Sequence, residues 1–306
     1  MFTFIIRRIF WALVIIWAAM TFTFILTYLI PGDPARQVAG PLAGEREVEN
    51  IRQTLGLNDP VPVQYFRYFG KILQGDFGRS WMFRRPVSQA VFGRLPASIQ
   101  LGVAAALVEL ILGGLIGTIS AVYRYQWPDR ISMALTLIAL SLPGFWFGLV
   151  LLYVFGFLIP LFPLGGYGEW RHVVLPALAV GVPFSAWYAR MFRSTIREVM
   201  SEQYIRAIRA KGIGERLVFF RHVLPNALIP IVTMWGMDLG RFVGGLALVE
   251  VVFGWPGLGW QAVEAARNLD VPLVMGSVLL VSALMAIANL AVDISYRWLD
   301  PRVVYD

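Results

Sequence analysis

The sequence predicts an all-α integral membrane protein with six transmembrane helices, and three observations predict it. Hydrophobic residues make up 58% of the chain and charged residues 15%, whereas an ordinary soluble domain has about 25% charged residues. The apolar residues form runs long enough to cross a hydrocarbon core of about 30 Å as helices. Basic residues, which give a net charge of +7, lie between these runs rather than in one stripe. This placement indicates topology signals and a lipid bilayer as partner, and it does not favour nucleic acid.

The first apolar run extends from Ile9 to Ile30 without a charge, roughly 33 Å as a helix. We assign residues 1–30 to a cytoplasmic tip and transmembrane helix one. A cleaved signal peptide is the alternative, but its apolar core is usually only about 7–15 residues long, and a small-residue cleavage site is missing here. Residues 31–94 are rich in Pro, Gly and charges and form a predicted extracytoplasmic region, with helices near Glu47–Leu55 and Pro62–Leu73.

Residues 95–296 hold the other five predicted spans. They are expected near Leu95–Tyr123, from Arg130 to near Pro160, from Val173 past Arg190, near Pro225–Glu250 and near Val271–Tyr296. Pro143-Gly144 should kink the third span, and Pro176 and Pro183 should kink the fourth. The distribution of Arg in short loops predicts a cytoplasmic N-terminus. Six spans then place residues 297–306, the C-terminus, in the cytoplasm as well.

Motifs for catalysis are missing from the sequence. It has no cysteine, which excludes disulfides, thiolate metal sites and cysteine nucleophiles. It also lacks a Walker A loop, H-E-x-x-H and G-x-S-x-G. His172 and His222 are predicted on opposite membrane faces, so we expect no shared metal site. We therefore predict no catalytic residue, and uphill transport would need a partner or an ion gradient.

The segment from Ser201 to Gly212 has the pattern of a complete short helix. Ser201 suits the N-cap, and Gly212 suits the position after the helix end. Tyr204, Ile205 and Ile208 should form one apolar patch, and a second short helix should run from Glu215 to about Leu224-Pro225-Asn226. Such a helix either rests on acidic lipid or docks in the groove of another protein, and physical chemistry alone leaves both open.

Several ordered motifs then resemble one family. The segment Tyr204–Gly212, followed by His222-Val-Leu-Pro-Asn226, resembles the EAA loop of ABC importer permeases, here residues 194–226. The acid of that motif is replaced by Arg206, which resembles the variant of dipeptide/oligopeptide/nickel permeases. Short stretches throughout the chain are similar to the same family: Leu29–Ala35, Leu55-Gly-Leu57, Gly75–Ser80, Trp255–Gly259, Val292–Tyr296 and Leu299–Arg302. The stretch from Pro31 to Pro41 looks closest to the glutathione-importing members.

The resemblance implies a fold and a set of partners. The fold would be a MetI-like type I permease core with an extra N-terminal helix, in a bacterial inner membrane. A second homologous permease would complete the pore, two cytoplasmic ATPases would bind ATP and Mg²⁺, and an extracytoplasmic protein would deliver substrate. This chain itself would hold no cofactor. The residues expected to couple to an ATPase are Tyr204, Ile205, Arg206, Ala207, Ile208, Arg209, Lys211 and Gly212.

The substrate and two rival functions remain open at this point. The resemblance implies di- or oligopeptides or glutathione, with nickel chelates or oligosaccharides as alternatives. A stand-alone secondary transporter is the main rival function, but it would need inverted repeats or a coupling-ion site. A membrane-embedded enzyme is weaker, because Glu109, Asp238 and Asp293 show no recognisable catalytic spacing.

Polar and small residues inside the spans give further candidates. Glu109, Asp238 and Arg241 are candidate pore-lining residues, because isolated charges at membrane depth must pair or face water. Glu109 could instead be protonated and hydrogen-bonded. Asp238 and Arg241 could instead pair along one helix face. The stripe Gly236, Gly240 and Gly244 permits close helix packing, either within the chain or against a partner permease, and Gly113 and Gly117 repeat the pattern on the second span.

Overall fold

The computed structural model describes residues 2–29, 32–244 and 246–299 and is helical throughout its regular elements. In chain order the helices are α1 (Phe2–Leu29), α2 (Pro34–Ala39), α3 (Glu45–Thr54), α4 (Val61–Leu73), α5 (Val87–Phe92), α6 (Leu95–Val122), α7 (Trp127–Ser141), α8 (Gly144–Leu151), α9 (Trp170–Ser201), α10 (Gln203–Ala210), α11 (Glu215–Val218), α12 (Leu224–Gly244), α13 (Ala247–Val252), α14 (Leu258–Arg267) and α15 (Val271–Leu299). Wider π turns follow α8 at Leu152–Leu158 and α11 at Phe219–Val223.

Five helical stretches in the described part of the chain are long and apolar enough to cross a membrane: Ile6–Thr27, Val87–Val122, Trp170–Ser201, Glu215–Gly236 and Val271–Leu290. The third predicted span is a bent pair, α7 with α8 and its π turn, which change direction by 102°. The bend falls at Pro143, which has no N–H to continue the ladder. The expected break is therefore confirmed. Pro176 and Pro183, by contrast, lie inside one continuous helix, α9.

Pro225 does not end a helix, contrary to the sequence-based expectation. The π turn Phe219–Val223 precedes it, and α12 begins at Leu224. Proline is tolerated in the first turn of a helix, where its missing N–H would have no regular partner. The chain therefore passes from α11 into α12 without stopping. Beyond α12, the predicted fifth span is also shorter than expected, because a separate helix, α13, begins at Ala247.

Residues 1–98 and 256–290 form one compact unit. Asp270, fully buried just before α15, accepts hydrogen bonds from the Ser80 hydroxyl and from the backbone N–H groups of Trp81 and Met82, both at 3.2 Å. It also accepts one from the N–H of Leu273 at 3.3 Å. These bonds hold the loop after α4 against the start of α15.

Residues 99–255 belong to the second unit. Its core joins α6, α9, α10 and α12 through buried residues that include Tyr188, Phe192, Ile205 and Ile231. Helices α6 and α9 approach closely at two glycines of α6. A Cβ atom at Gly117 would lie 2.4 Å from the Ala189 carbonyl oxygen, and one at Gly113 would lie 2.5 Å from the Tyr188 Cβ. Only glycine permits this separation.

Candidate functional site

The segment between α9 and α12 contains the predicted short helix, with one change in its capping. Ser201 is the last residue of α9, and its hydroxyl donates to the Glu198 carbonyl at 2.7 Å. Glu202 takes the N-cap position of α10 with extended backbone angles, so the prediction of Ser201 as N-cap was wrong. A serine near a helix end can satisfy its hydroxyl on a preceding carbonyl instead of capping the next helix. Gly212 has a φ of 79°, as the predicted helix end requires.

The predicted apolar patch of α10 is divided between two surfaces. Ile205 is fully buried, and Ile208 packs beside it against the core that holds Val218 and Val223. Tyr204 remains 41% exposed, and its hydroxyl donates to the His222 carbonyl at 3.3 Å. The apolar side of α10 therefore anchors the helix to its own chain. The outward surface consists of Gln203, Tyr204, Arg206, Ala207, Ala210 and Lys211.

A bidentate ion pair fixes the turn after α10. Arg209 donates from Nε and Nη2 to the two carboxylate oxygens of Glu215, at 2.7 and 3.1 Å. Both side chains keep solvent contact, so the pair contributes at most about 1 kcal/mol. The main effect of the pair is geometric, because a two-point contact fixes the angle between α10 and α11. Arg209 is thus occupied within the chain rather than free for a partner.

A second charged cluster lies at the end of α9 that leads into α10. Asp129, in the first turn of α7, is 3% exposed. Arg193 donates to its carboxylate from Nε at 2.9 Å and from Nη2 at 3.0 Å, and Arg197 donates from Nη2 at 2.8 Å. The Ser120 hydroxyl and the Tyr125 N–H complete its hydrogen bonds. We call these residues the Asp129 cluster.

The Asp129 cluster ties α9 to the turn between α6 and α7. Tyr125 in that turn has a φ of 61°, and the Arg197 guanidinium lies 5.8 Å from its ring centroid. The hydrogen bond from Arg124 lowers the pKa of the Tyr125 hydroxyl. This cluster was not predicted from the sequence, where its arginines served only to orient the chain. The sequence did contain a signal for this cluster, namely an acidic residue in a first helical turn and two arginines one turn apart.

The candidate pore-lining residues have different environments. Glu109 is fully buried in the single chain, and its role as a pore-lining residue stays a prediction. Asp238 is half-buried and accepts a hydrogen bond from the Tyr188 hydroxyl at 2.7 Å. This contact joins α12 to α9. The side chain of Arg241 lies outside the described residues, so the predicted pair with Asp238 cannot be placed.

The glycine stripe on α12 differs from that on α6. A Cβ atom at Gly236 would meet no atom of the described residues within 4 Å. Gly240 and Gly244 lie outside the residues whose surroundings are described. Gly236 therefore has no close-packing role within the described part of this chain, in contrast to Gly113 and Gly117. Among the described residues no group of three or more His, Asp or Glu could hold a metal ion.

Comparison with known proteins identifies the class. Residues 113–305 match the family described as the binding-protein-dependent transport system inner membrane component, and residues 1–102 match the N-terminal domain of such membrane components. The chain belongs to this family of inner-membrane permeases of ABC importers. It is 38% identical over 305 residues to the glutathione transport system permease protein GsiC of Salmonella paratyphi A, covering 100% of both chains. It is 37% identical over the same length to GsiC of Escherichia coli K12, again covering 100% of both.

Two solved structures share the fold. An inward-facing MetNI methionine ABC transporter superposes with a TM-score of 0.53 at 18% identity, over 70% of this chain and 97% of that chain. An amino acid ABC transporter crystallised with histidines gives 0.51 at 16% identity, over 68% and 94% respectively. These matches confirm the predicted MetI-like core. The family assignment likewise confirms an importer permease of the inner membrane that works with a binding protein and separate ATPase subunits.

Proposed function

We propose that this chain forms half of the translocation pathway of a peptide-class ABC importer and couples to an ATPase through α10. The observation that carries this proposal is the division of α10 into a buried apolar side and an exposed polar side. Ile205 and Ile208 fix the helix to its own chain, and Tyr204, Arg206 and Ala207 remain available to a partner. A short helix fixed on one side suits insertion into a groove of another protein.

The coupling proposal follows from the contacts at both ends of α10. The Arg209–Glu215 pair holds the turn that follows the helix, and the Asp129 cluster holds the end of α9 that precedes it. A displacement of α10 is therefore passed to α9 and to the turn between α6 and α7, because each joint has at least two polar contacts. Flexible connections at the ends of α10 would absorb the displacement instead.

Exposed apolar side chains next to α10 extend the proposed ATPase-binding surface. Leu217 in α11 and Phe220 in the π turn are both well exposed. Apolar groups beside a polar helix face are typical of protein interfaces, which combine an apolar centre with a polar rim. We assign Leu217 and Phe220 to the same ATPase contact.

The substrate class is proposed from the relatives. The GsiC proteins are glutathione transport permeases by name, and we extend a peptide-type substrate to this chain. Asp238, hydrogen-bonded to Tyr188, is the charged candidate for recognising the ammonium group of such a substrate. We also propose that a second permease packs on α12 at Gly236, where the described chain leaves space beside the helix.

The test introduces an acid into the proposed docking surface. Ala207→Glu places a charge on the exposed side of α10, and Leu42→Glu makes a matched change at an almost fully exposed residue before α3. We expect Ala207→Glu to abolish co-purification of the ATPase and ATP-dependent peptide uptake in proteoliposomes. Leu42→Glu should retain both. Retention of the ATPase by Ala207→Glu would refute the docking role of α10.

A further inference from the structure

Helix α4 has three distinct faces, and the first packs on two membrane spans. Tyr65, Phe69 and Ile72 contact a cluster formed by Met20 and Phe24 of α1 and Met275 of α15. The Tyr65 and Thr21 hydroxyls are hydrogen-bonded at 2.8 Å. The rings of Phe24 and Tyr65 meet edge to face with centroids 5.3 Å apart. This face holds α4 directly against α1.

The second face of α4 is polar. Gln64, Arg67 and Lys71 line a cavity of about 600 Å³ within the same compact unit, and Asp33 and Asp76 also line it. Arg67 pairs with Asp59, and Gln64 donates to the Asp59 carbonyl at 2.7 Å. These side chains are solvated by the cavity or held by neighbours, so the polar face needs no further partner.

The third face is apolar and exposed. Phe66 is 72% exposed and Leu73 is 88% exposed, and Val63 is exposed as well. At 100° per residue the three side chains fall on one side of the helix, between the packed face and the polar face. A row of large apolar side chains on a helix of this kind is typical of contact with a partner or a membrane rather than water.

The contacts of α4 bring this face beside residues of two candidate membrane spans. Thr21 lies within the span Ile6–Thr27, about 9 Å before its end at a rise of 1.5 Å per residue. Met275 lies within the span Val271–Leu290, about 6 Å from its start by the same measure. Because α4 packs on both residues, its neighbouring apolar face lies beside the two spans.

We propose that α4 is an interfacial membrane helix in the leaflet where α1 ends, with Val63, Phe66 and Leu73 inserted among the lipid acyl chains. The occupant of this face is the bilayer itself. Lys71 lies beside the inserted row and can extend its charged end to the headgroups while its stem covers apolar surface. This placement of α4 does not depend on the function of α10.

The chain offers a clean labelling experiment because it contains no cysteine. A nitroxide would be attached to single cysteines in the full chain, reconstituted in phosphatidylcholine/phosphatidylglycerol liposomes. The variants are Phe66→Cys, Leu73→Cys and Lys71→Cys, with Glu47→Cys on α3 as an aqueous control. All four residues are exposed, so the labels should not disturb the core. Electron paramagnetic resonance would compare collisions with oxygen, which partitions into lipid, and with a water-soluble nickel chelate.

We expect oxygen collisions to exceed nickel collisions at Phe66 and Leu73, with the ratio reversed at Lys71 and Glu47. A water-like ratio at Phe66 and Leu73 would overturn the proposal. Protection from both reagents, measured again in the assembled transporter, would also overturn it, since it would show that a protein partner covers the face. An unchanged far-ultraviolet circular dichroism spectrum of each labelled chain would verify that the variants are folded.

Discussion

Removal of the Asp129 carboxylate tests whether the Asp129 cluster holds α9 in place. In Asp129→Ala, the two arginines lose a partner whose oxygens lie 2.8–3.0 Å from their nitrogens. Breaking a fully buried ion pair costs about 3–5 kcal/mol. The Arg193 and Arg197 side chains keep 29% and 20% exposure, so water solvates them in part after the substitution. We therefore expect the free energy of unfolding to fall by about 3 kcal/mol, at the lower end of that range.

The measurement is equilibrium unfolding of the purified chain in mixed micelles, titrated with a denaturing detergent and followed by circular dichroism. Arg193→Ala should show a smaller loss, because Asp129 keeps Arg197 as a partner, and the double variant with Asp129→Ala should cost less than the sum of the two. Arg190→Ala is the matched control, one turn earlier on α9. Its guanidinium lies 5.5 Å from the Trp187 ring centroid, a contact that contributes about 1 kcal/mol at most. A coupling energy below about 0.5 kcal/mol between Asp129 and Arg193 would refute the reasoning.

Three further substitutions test packing and polar contacts in the same unit. Gly117→Ala should lower the free energy of unfolding by about 1–3 kcal/mol, because the added methyl would overlap the Ala189 carbonyl and Phe192. Gly236→Ala should leave the stability of the isolated chain unchanged or slightly raised, and equal losses at both glycines in the same titration would contradict this packing. Tyr188→Phe removes one hydrogen bond to Asp238 and should cost about 1–2 kcal/mol. If Asp238 also contacts substrate, Tyr188→Phe should change the KM for peptide uptake in proteoliposomes. An unchanged KM would show that the hydrogen bond between Tyr188 and Asp238 serves stability alone.

The sequence was sufficient for features with a local cause. Uninterrupted apolar runs defined the spans, and Pro143 marked the 102° break because proline cannot continue a helical ladder. Gly212 marked the end of α10 because glycine adopts positive φ without strain. The ordered motifs also identified the family, which the comparisons confirmed over the full length of the chain.

Features that depend on contacts between distant residues were not predictable in the same way. Asp129 meets Arg193 across 64 residues of sequence, and no periodic pattern encodes that contact. The apolar side of α10 was recognised, but periodicity does not say whether such a side faces a partner or the chain's own core, as Ile205 does. Ser201 had the composition of an N-cap, yet its hydroxyl bonds within α9. The roles assigned to the coupling and pore residues remain predictions.

The continuity of α9 through Pro176 and Pro183 has a mechanical consequence. Its 32 residues amount to about 48 Å, which exceeds a hydrocarbon core of about 30 Å by about 18 Å. The surplus lies at the end that contains Arg190, Arg193 and Arg197, since the preceding residues of the helix are uncharged back to His172. That end continues the helix beyond its apolar length and leads directly into α10. A displacement of α10 of the kind proposed for ATPase coupling would therefore enter the membrane-spanning length of the chain through one continuous helix.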